Sequence, residues 1–218
     1  MNHILQNINE LRSQMLPSIK IVAVSKTKSI PEIRDAMAAG QICFGESKVQ
    51  ELSKKHEHIP QAHWHLIGHL QTNKVKFIAP FVQMIQSVDS LRLLEEIDRQ
   101  AEKCNRIIDC LLQIHIAREE TKFGLSEQEA VELLDNSVFQ NLKHIRICGL
   151  MGMATFTDDM ETVRSEFRGL AHFFQRIRKA YFPEDPAFCE LSMGMSDDYQ
   201  IAIEEGATIL RIGSLIFQ

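Results

Sequence analysis

Residues 21–28 read Ile21-Val-Ala-Val-Ser-Lys26-Thr-Lys28. Four consecutive apolar residues, most of them β-branched, predict a strand that is buried on both faces, as in a parallel sheet. The strand runs directly into Lys26, and strand ends are where barrel proteins carry catalytic side chains. Partial burial would lower the pKa of this lysine, and a neutral amine can attack a carbonyl group to form a Schiff base. The alternative is an ordinary lysine whose ammonium group reaches solvent.

The composition fits one large globular domain over residues 1–218, with 44% hydrophobic and 24% charged residues. The net charge is −5 and there is no long basic run, which argues against nucleic acid as a partner. Five cysteines without a Cys-x-x-Cys pair favour a reducing compartment. No leader-like N-terminus and no membrane-length apolar segment is present in the sequence, so we expect a cytoplasmic protein without membrane association.

Predicted strands and helices alternate along the chain. Apolar residues at helical spacing from Met1 to about Met15 predict a leading helix before the first strand. Ser126 with Glu129 forms a capping-box pattern, and Asp158 with Asp159 favours the start of the longest helix. The eight predicted strands are Ile21–Val24, Ile42–Phe44, Trp64–Ile67, Met84–Val88, Ile107–Ile116, Ile145–Leu150, Ala187–Leu191 and Thr208–Ile212.

This order predicts a single (β/α)8 TIM barrel with an extra N-terminal helix. An open dinucleotide-binding sheet is the alternative, but no Gly-x-Gly-x-x-Gly follows the first strand. The loops after the strands of a barrel meet at one face. Lys26 would therefore lie near the loops that begin at Gly45 and Gly68, and near residues 192–196 and 211–214.

The last predicted strand runs into Leu210-Arg-Ile-Gly-Ser214. Glycine allows the backbone at Gly213 to approach an anion, the Ser214 hydroxyl adds a donor, and loops after strands seven and eight of barrels often bind phosphate. Ser196 offers another donor at a helix N-terminus, or an ordinary N-cap. Arg211 could instead form an ion pair inside the barrel, because a buried guanidinium needs a partner.

Three histidines stand close together in His63-Trp-His65-x-x-x-His69. Two histidines two apart on a strand share a face, which is also an arrangement that binds metals. The sequence shows no evident Asp or Glu ligands at the other strand ends. We therefore expect no metal, and imidazoles that form hydrogen bonds or pack.

Seven motifs spread over nearly the whole chain are Val-Ser-Lys26-Thr-Lys, Phe44-Gly-Glu, Val49-Gln-Glu, Trp64-His-x-Ile-Gly-His-Leu-Gln-x-Asn-Lys74, Gly149-Leu-Met-Gly-Met, Glu190-Leu-Ser-Met-Gly-Met-Ser196 and Arg211-Ile-Gly-x-x-Ile-Phe217. Together they resemble the YggS/PROSC family, the pyridoxal phosphate homeostasis proteins. The resemblance implies an alanine-racemase-like barrel of fold type III that binds pyridoxal 5′-phosphate (PLP).

The resemblance also assigns roles to individual residues. It implies that Lys26 is the Schiff-base lysine, that Arg211 faces the pyridine nitrogen, and that the phosphate is held by Ser196, Gly213 and Ser214. We also expect His65 among the cofactor-binding residues.

This chain departs from the family pattern in two places. The family usually has Phe-Gly-Glu-Asn-Tyr after strand two, whereas this chain has Phe44-Gly-Glu-Ser47-Lys48. A shorter hydroxyl and a cation therefore replace an amide and an aromatic ring near the cofactor. The final residue is Gln218 where the family commonly has glycine, and we expect it outside the site.

The function that the resemblance implies is intracellular PLP (vitamin B6) homeostasis, with supply of the cofactor to apo-forms of PLP-dependent enzymes. A permanent cation beside the pyridine nitrogen makes the ring a poor electron sink, which disfavours deep carbanion chemistry. The acid/base group that racemases take from a second domain has no counterpart in this sequence. A weak PLP-dependent racemase or lyase is the alternative, and a metal-dependent hydrolase comes third. We expect a monomer, with a dimer as the alternative.

Overall fold

The computed structural model describes residues 3–118 and 123–218. Within these residues, eight parallel strands close into a barrel in sequence order, and the last strand pairs with the first. This confirms the predicted TIM barrel. The strands are β1 (Lys20–Val24), β2 (Cys43–Glu46), β3 (His63–Leu66), β4 (Met84–Val88), β5 (Ile108–Ile114), β6 (Ile145–Gly152), β7 (Glu190–Ser192) and β8 (Ile209–Ile212).

Helices connect the strands and cover the outside of the barrel. The helices are α1 (His3–Ser13), α2 (Ile30–Ala38), α3 (Val49–His58), α4 (Val75–Ile78), α5 (Leu91–Lys103), α6 (Glu127–Asp135), α7 (Ser137–Gln140), α8 (Met160–Tyr181), α9 (Tyr199–Glu204) and α10 (Ser214–Phe217), with a 3-10 turn at Thr72–Lys74. The predicted leading helix is present as α1. Its Asn7 side chain donates to the carbonyl groups of Ile216 and Gln218, which ties the start of the described chain to its end.

Capping side chains fix where several helices begin. Ser126 accepts a hydrogen bond from the backbone of Glu129, whose carboxylate accepts one from the Ser126 backbone, so the predicted capping box is present. Ser29 and Glu32 form a second box at the start of α2. Each box satisfies N–H groups that the first helical turn leaves without partners.

The core has two parts because side chains on a barrel strand alternate between the inside and the outside. The larger apolar cluster lies between the strands and the helices. A smaller cluster contains Val22, Met84, Leu111, Cys148, Met151 and Ile209. Val22 is flanked by Ile21 and Ala23 of the larger cluster, so this alternation identifies the smaller cluster as the interior of the barrel.

One glycine is required by a close approach between two strands. Gly149 in β6 has φ +152°, and a Cβ atom there would lie 1.7 Å from the carbonyl oxygen of Glu190 in β7. The pairing of β5 with β6 shifts register next to this position, between Cys110 and Leu111. Only a residue without a side chain fits this irregularity.

The five cysteines all lie in the described part of the chain as free thiols. Among the described helices, none has both the length and the apolar character needed to cross a bilayer.

Candidate functional site

A cavity of about 450 Å³ opens at the carboxyl ends of the strands. Residues at the ends of β1 and β2 and in the loops after β7 and β8 line this cavity. Residues with polar side chains or exposed backbone that line it include Lys26, Ser47, Ser196, Arg211, Gly213 and Ser214. Five of the six residues that the sequence singles out for the cofactor therefore surround one cavity, although they are far apart in the chain.

Lys26 is available to a ligand in this cavity. Its side chain is exposed, and within the described residues it takes part in no hydrogen bond or ion pair. The sequence left open whether this lysine is partly buried or reaches solvent. In the structure it is exposed, because the strand ends at Val24 and Lys26 lies on the turn beyond it. Lys28 lines the same cavity but is engaged, since its Nζ lies 3.6 Å from Glu32 Oε1 and donates to the carbonyl oxygen of Phe217 at 3.3 Å.

Arg211 lies at the inner end of the cavity and is only 3% exposed. Its Nη1 donates to Ser192 Oγ at 2.7 Å, and its Nη2 donates to the carbonyl oxygen of Gly152 at 2.8 Å. Burial lowers the pKa of the guanidinium to about 10, so the group remains charged at neutral pH. A guanidinium has five N–H donors, and these bonds leave donors for a ligand.

A chain of hydrogen bonds leads from Arg211 through the interior of the barrel to His65. Ser192 Oγ lies 2.7 Å from Gln86 Oε1, and Gln86 Nε2 lies 2.9 Å from His65 Nδ1. Because a guanidinium can only donate, Ser192 accepts from Arg211 and donates its own proton to the amide oxygen of Gln86. The amide nitrogen then donates to Nδ1, so His65 is the neutral tautomer with its proton on Nε2.

His65 does not line the cavity that contains Lys26. It lines a second cavity of about 540 Å³ at the amino ends of the strands, together with Lys20, Cys43 and Glu190. Its imidazole is buried, and burial lowers the pKa to about 3. The structure therefore places His65 behind Arg211, connected to the first cavity by the hydrogen-bond chain.

Gln86 and Ser192 are the members of this chain that the sequence analysis missed. Both side chains are fully buried. Gln86 interrupts the otherwise apolar start of β4, and a polar side chain in a buried strand needs a partner. That signal was present in the sequence. The predicted seventh strand ends at Leu191, one residue too early, because Ser192 is the last residue of β7.

The rim of the cavity offers donors suited to an anion. Within the described residues, no protein acceptor pairs with the hydroxyl or backbone N–H of Ser196 or Ser214. Gly213 precedes α10 without a side-chain cap, so it leaves the approach to Ser214 open. The donors of Ser196, Gly213 and Ser214 fit a phosphate held by hydroxyl and backbone groups. Asp197 also lines this rim, and its negative charge opposes an anion there.

The two substituted positions after β2 differ in location. Ser47 lines the cavity, whereas Lys48 is exposed and stands at the start of α3. The hydroxyl of Ser47 is therefore at the site and the charge of Lys48 is outside the cavity lining. Over residues 3–118 and 123–218, no cluster of three or more His, Cys, Asp or Glu side chains is arranged to hold a metal ion.

Comparison with known proteins identifies the family. The family model described as the alanine racemase N-terminal domain matches residues 1–218. The pyridoxal phosphate homeostasis protein of Aquifex aeolicus is 38% identical over 200 residues, which cover 91% of this chain and 86% of that protein. The protein of the same name from Synechocystis is 36% identical over 215 residues, 96% of this chain and 95% of that protein.

Solved structures agree with this result. PipY of Synechococcus elongatus with PLP bound superposes with a TM-score of 0.89 at 34% identity, over 99% of this chain and all of that chain. Alanine racemase of Clostridium difficile has a TM-score of 0.79 at 14% identity, and this chain covers 59% of it, which shows a shared fold. The chain therefore belongs to the family of the pyridoxal phosphate homeostasis proteins, within the wider family of alanine racemase N-terminal domains.

Proposed function

We propose that residues 1–218 form one PLP-binding barrel domain that holds the cofactor in the 450 Å³ cavity as a Schiff base with Lys26. The observation that carries this proposal is the convergence of three kinds of group in one cavity. They are a lysine amine that has no partner among the described residues, a buried arginine with donors to spare, and two serines whose hydroxyl and N–H groups have no acceptor in the described part of the chain. PipY, whose structure was solved with PLP bound and matches this chain at 34% identity, supports PLP as the ligand.

Each group has a distinct task in this proposal. Ser196, Gly213 and Ser214 bind the phosphate through hydroxyl and backbone donors. Arg211 donates to the pyridine nitrogen, and its bonds to Ser192 and Gly152 hold the guanidinium in place. PLP supplies an aldehyde that the Lys26 amine can attack. His65 acts through the hydrogen-bond chain rather than by touching the cofactor.

We further propose that the protein works in cytoplasmic PLP homeostasis and supplies the cofactor to apo-forms of PLP-dependent enzymes. The relatives with this name match the chain over nearly their whole length, whereas the racemase extends well beyond the matched part. Arg211 is charged and donates hydrogen bonds, so it keeps the pyridine nitrogen unprotonated and weakens the ring as an electron sink.

A transfer assay tests this function. The loaded protein is mixed with the apo-form of a PLP-dependent enzyme, in the presence of enough alkaline phosphatase to destroy free PLP. We expect the enzyme to recover activity from the loaded protein, and not from the same amount of free cofactor. Racemisation of L- and D-alanine, followed by chiral chromatography, should stay at the level of free PLP.

Two outcomes would contradict the proposal. If phosphatase prevents recovery of apo-enzyme activity equally with the loaded protein and with free PLP, the cofactor is released to solvent and is not transferred directly. Turnover of an amino acid at about one per second or faster, abolished by Lys26→Ala, would instead support a weak racemase or lyase.

A further inference from the structure

The backbone that carries Lys26 forms a tight turn with an unusual residue in it. The N–H of Lys28 donates to the carbonyl oxygen of Ser25 at 2.9 Å, which closes a four-residue turn with Lys26 and Thr27 at its centre. Thr27 has φ +66°. A turn with positive φ at its third residue normally has glycine there, and a β-branched residue rarely adopts this conformation. Other contacts must therefore hold Thr27 in this turn.

Those contacts come from α3 and bind the two peptide groups that flank Lys26. Lys55 Nζ donates to the carbonyl oxygen of Ser25 at 2.6 Å. The N–H of Thr27 donates to Glu51 Oε1 at 2.7 Å. Lys55 Nζ also lies 2.7 Å from the same Glu51 oxygen, so the two bonds belong to one connected network. The peptide before the Cα atom of Lys26 and the peptide after it are both fixed.

The anchor of this network is buried. The side chain of Lys55 is 7% exposed, and its third hydrogen bond is to Glu46 Oε1 at 2.8 Å. Ser25 Oγ donates to the same oxygen at 2.6 Å. All three N–H donors of the ammonium group are therefore engaged, and little freedom remains for the Lys55 side chain. Hydrogen bonds from Lys55 and Thr27 outweigh partial burial and lower the pKa of Glu51, which stays an ionised acceptor at neutral pH.

We propose that Glu51 and Lys55 are positioning residues that fix φ and ψ of Lys26, and so direct its amine, in preference to that of Lys28, toward the cofactor. The inference rests on the proposed function, in which Lys26 is the attachment site. Without the Glu51 carboxylate, the peptide between Lys26 and Thr27 is free to turn over, which gives Thr27 a negative φ and redirects the Lys26 side chain.

The experiment compares Glu51→Ala with Glu51→Gln and with Glu96→Ala. Glutamine keeps an acceptor oxygen for the Thr27 N–H. Glu96 is a matched control, because it is a largely buried helical glutamate bonded to Arg99 and Gln100 of its own helix, α5. The Glu51 side chain is 29% exposed, so its truncation leaves no buried cavity. If the alanine variant does not fold, Glu51→Ser replaces it, since serine is too short to reach Thr27.

Two measurements are made on each variant. Amide hydrogen exchange of Thr27 is followed in the protein without cofactor. The protein is also loaded with PLP, reduced with borohydride and digested, and mass spectrometry gives the fractions of cofactor on Lys26 and Lys28. For Glu51→Ala we expect faster Thr27 exchange and weaker PLP binding, each by about ten-fold or more, and a shift of label toward Lys28. Glu51→Gln and Glu96→Ala should stay close to the wild type in Thr27 exchange, PLP affinity and label distribution.

If Glu51→Ala matches Glu96→Ala in exchange, affinity and label distribution, the positioning role is wrong. This outcome is distinct from failure of the proposed function, in which the wild-type protein itself carries no label on Lys26. The exchange measurement tests the network in either case, because it needs no cofactor.

Discussion

Replacing His65 with glutamine will make the stability of the protein less sensitive to acid. The neutral imidazole accepts from Gln86 through Nδ1, at the end of the hydrogen-bond chain that starts at Arg211. Protonation would give His65 two donors, and Nδ1 could no longer accept this bond. A glutamine at this position retains an acceptor oxygen and does not titrate.

The size of the effect follows from the pKa of the imidazole. Burial, with smaller contributions from the charges of His63 and Lys20, lowers it from 6.5 to about 3. At pH values between 3 and 6.5, His65 therefore binds a proton in the unfolded chain but not in the folded protein. The contribution of neutral His65 to the free energy of unfolding is fully present above pH 6.5 and is lost as the pH falls toward 3. This free energy falls by about 2 kcal/mol at pH 5 and by about 3 kcal/mol at pH 4.

Urea unfolding at a series of pH values from 7 to 4 measures this difference. The free energy of unfolding of the wild type should fall more steeply than that of His65→Gln. His172 is exposed on α8, so His172→Gln is a matched control that should follow the wild type. If His65→Gln loses stability in parallel with the wild type between pH 7 and 5, the neutral tautomer and the direction of the hydrogen-bond chain are wrong.

Three further substitutions probe the cavity and the barrel. Lys26→Ala should abolish the visible absorbance band of the lysine-bound cofactor and leave the circular dichroism unchanged, because the exposed Lys26 side chain takes part in no hydrogen bond or ion pair within the described residues. Ser214→Asp should weaken binding of PLP at least about ten-fold more than binding of pyridoxal in calorimetric titrations, since a carboxylate repels the phosphate; equal losses would place the phosphate elsewhere. Gly149→Ala should lower the free energy of unfolding by more than about 4 kcal/mol, whereas Gly169→Ala, which has open space around its Cβ position, should change it by about 1 kcal/mol or less.

The barrel was predictable because its strands are short runs of apolar residues between clear helix signals. β4 was predicted residue for residue, and the capping box at Ser126 located the start of α6. The short helices α7 and α10 were not predicted, since four residues are too few for a helical pattern to emerge. β7 has only three residues, which is why Ser192 was assigned to the following loop.

The sequence predicts residues of the site only where they stand at or near the end of a strand. Lys26 and Arg211 stand at or near strand ends, so the barrel rule brings them to one face. His65 lies inside the barrel, and its depth depends on how β3 is staggered against its neighbours, which a single sequence does not encode locally. The sequence does not predict the network of Lys55 and Glu51, because both residues lie on the mostly polar helix α3, where charged side chains usually face solvent.

The most direct test of the central claim is to find the atom that carries the cofactor. The wild-type protein is loaded with PLP, reduced with borohydride, digested and analysed by tandem mass spectrometry. We predict a single modified peptide with the pyridoxyl group on Lys26. A label on Lys28 instead, or one spread over exposed lysines such as Lys48, would contradict the assignment of Lys26 and of the cavity as the cofactor site.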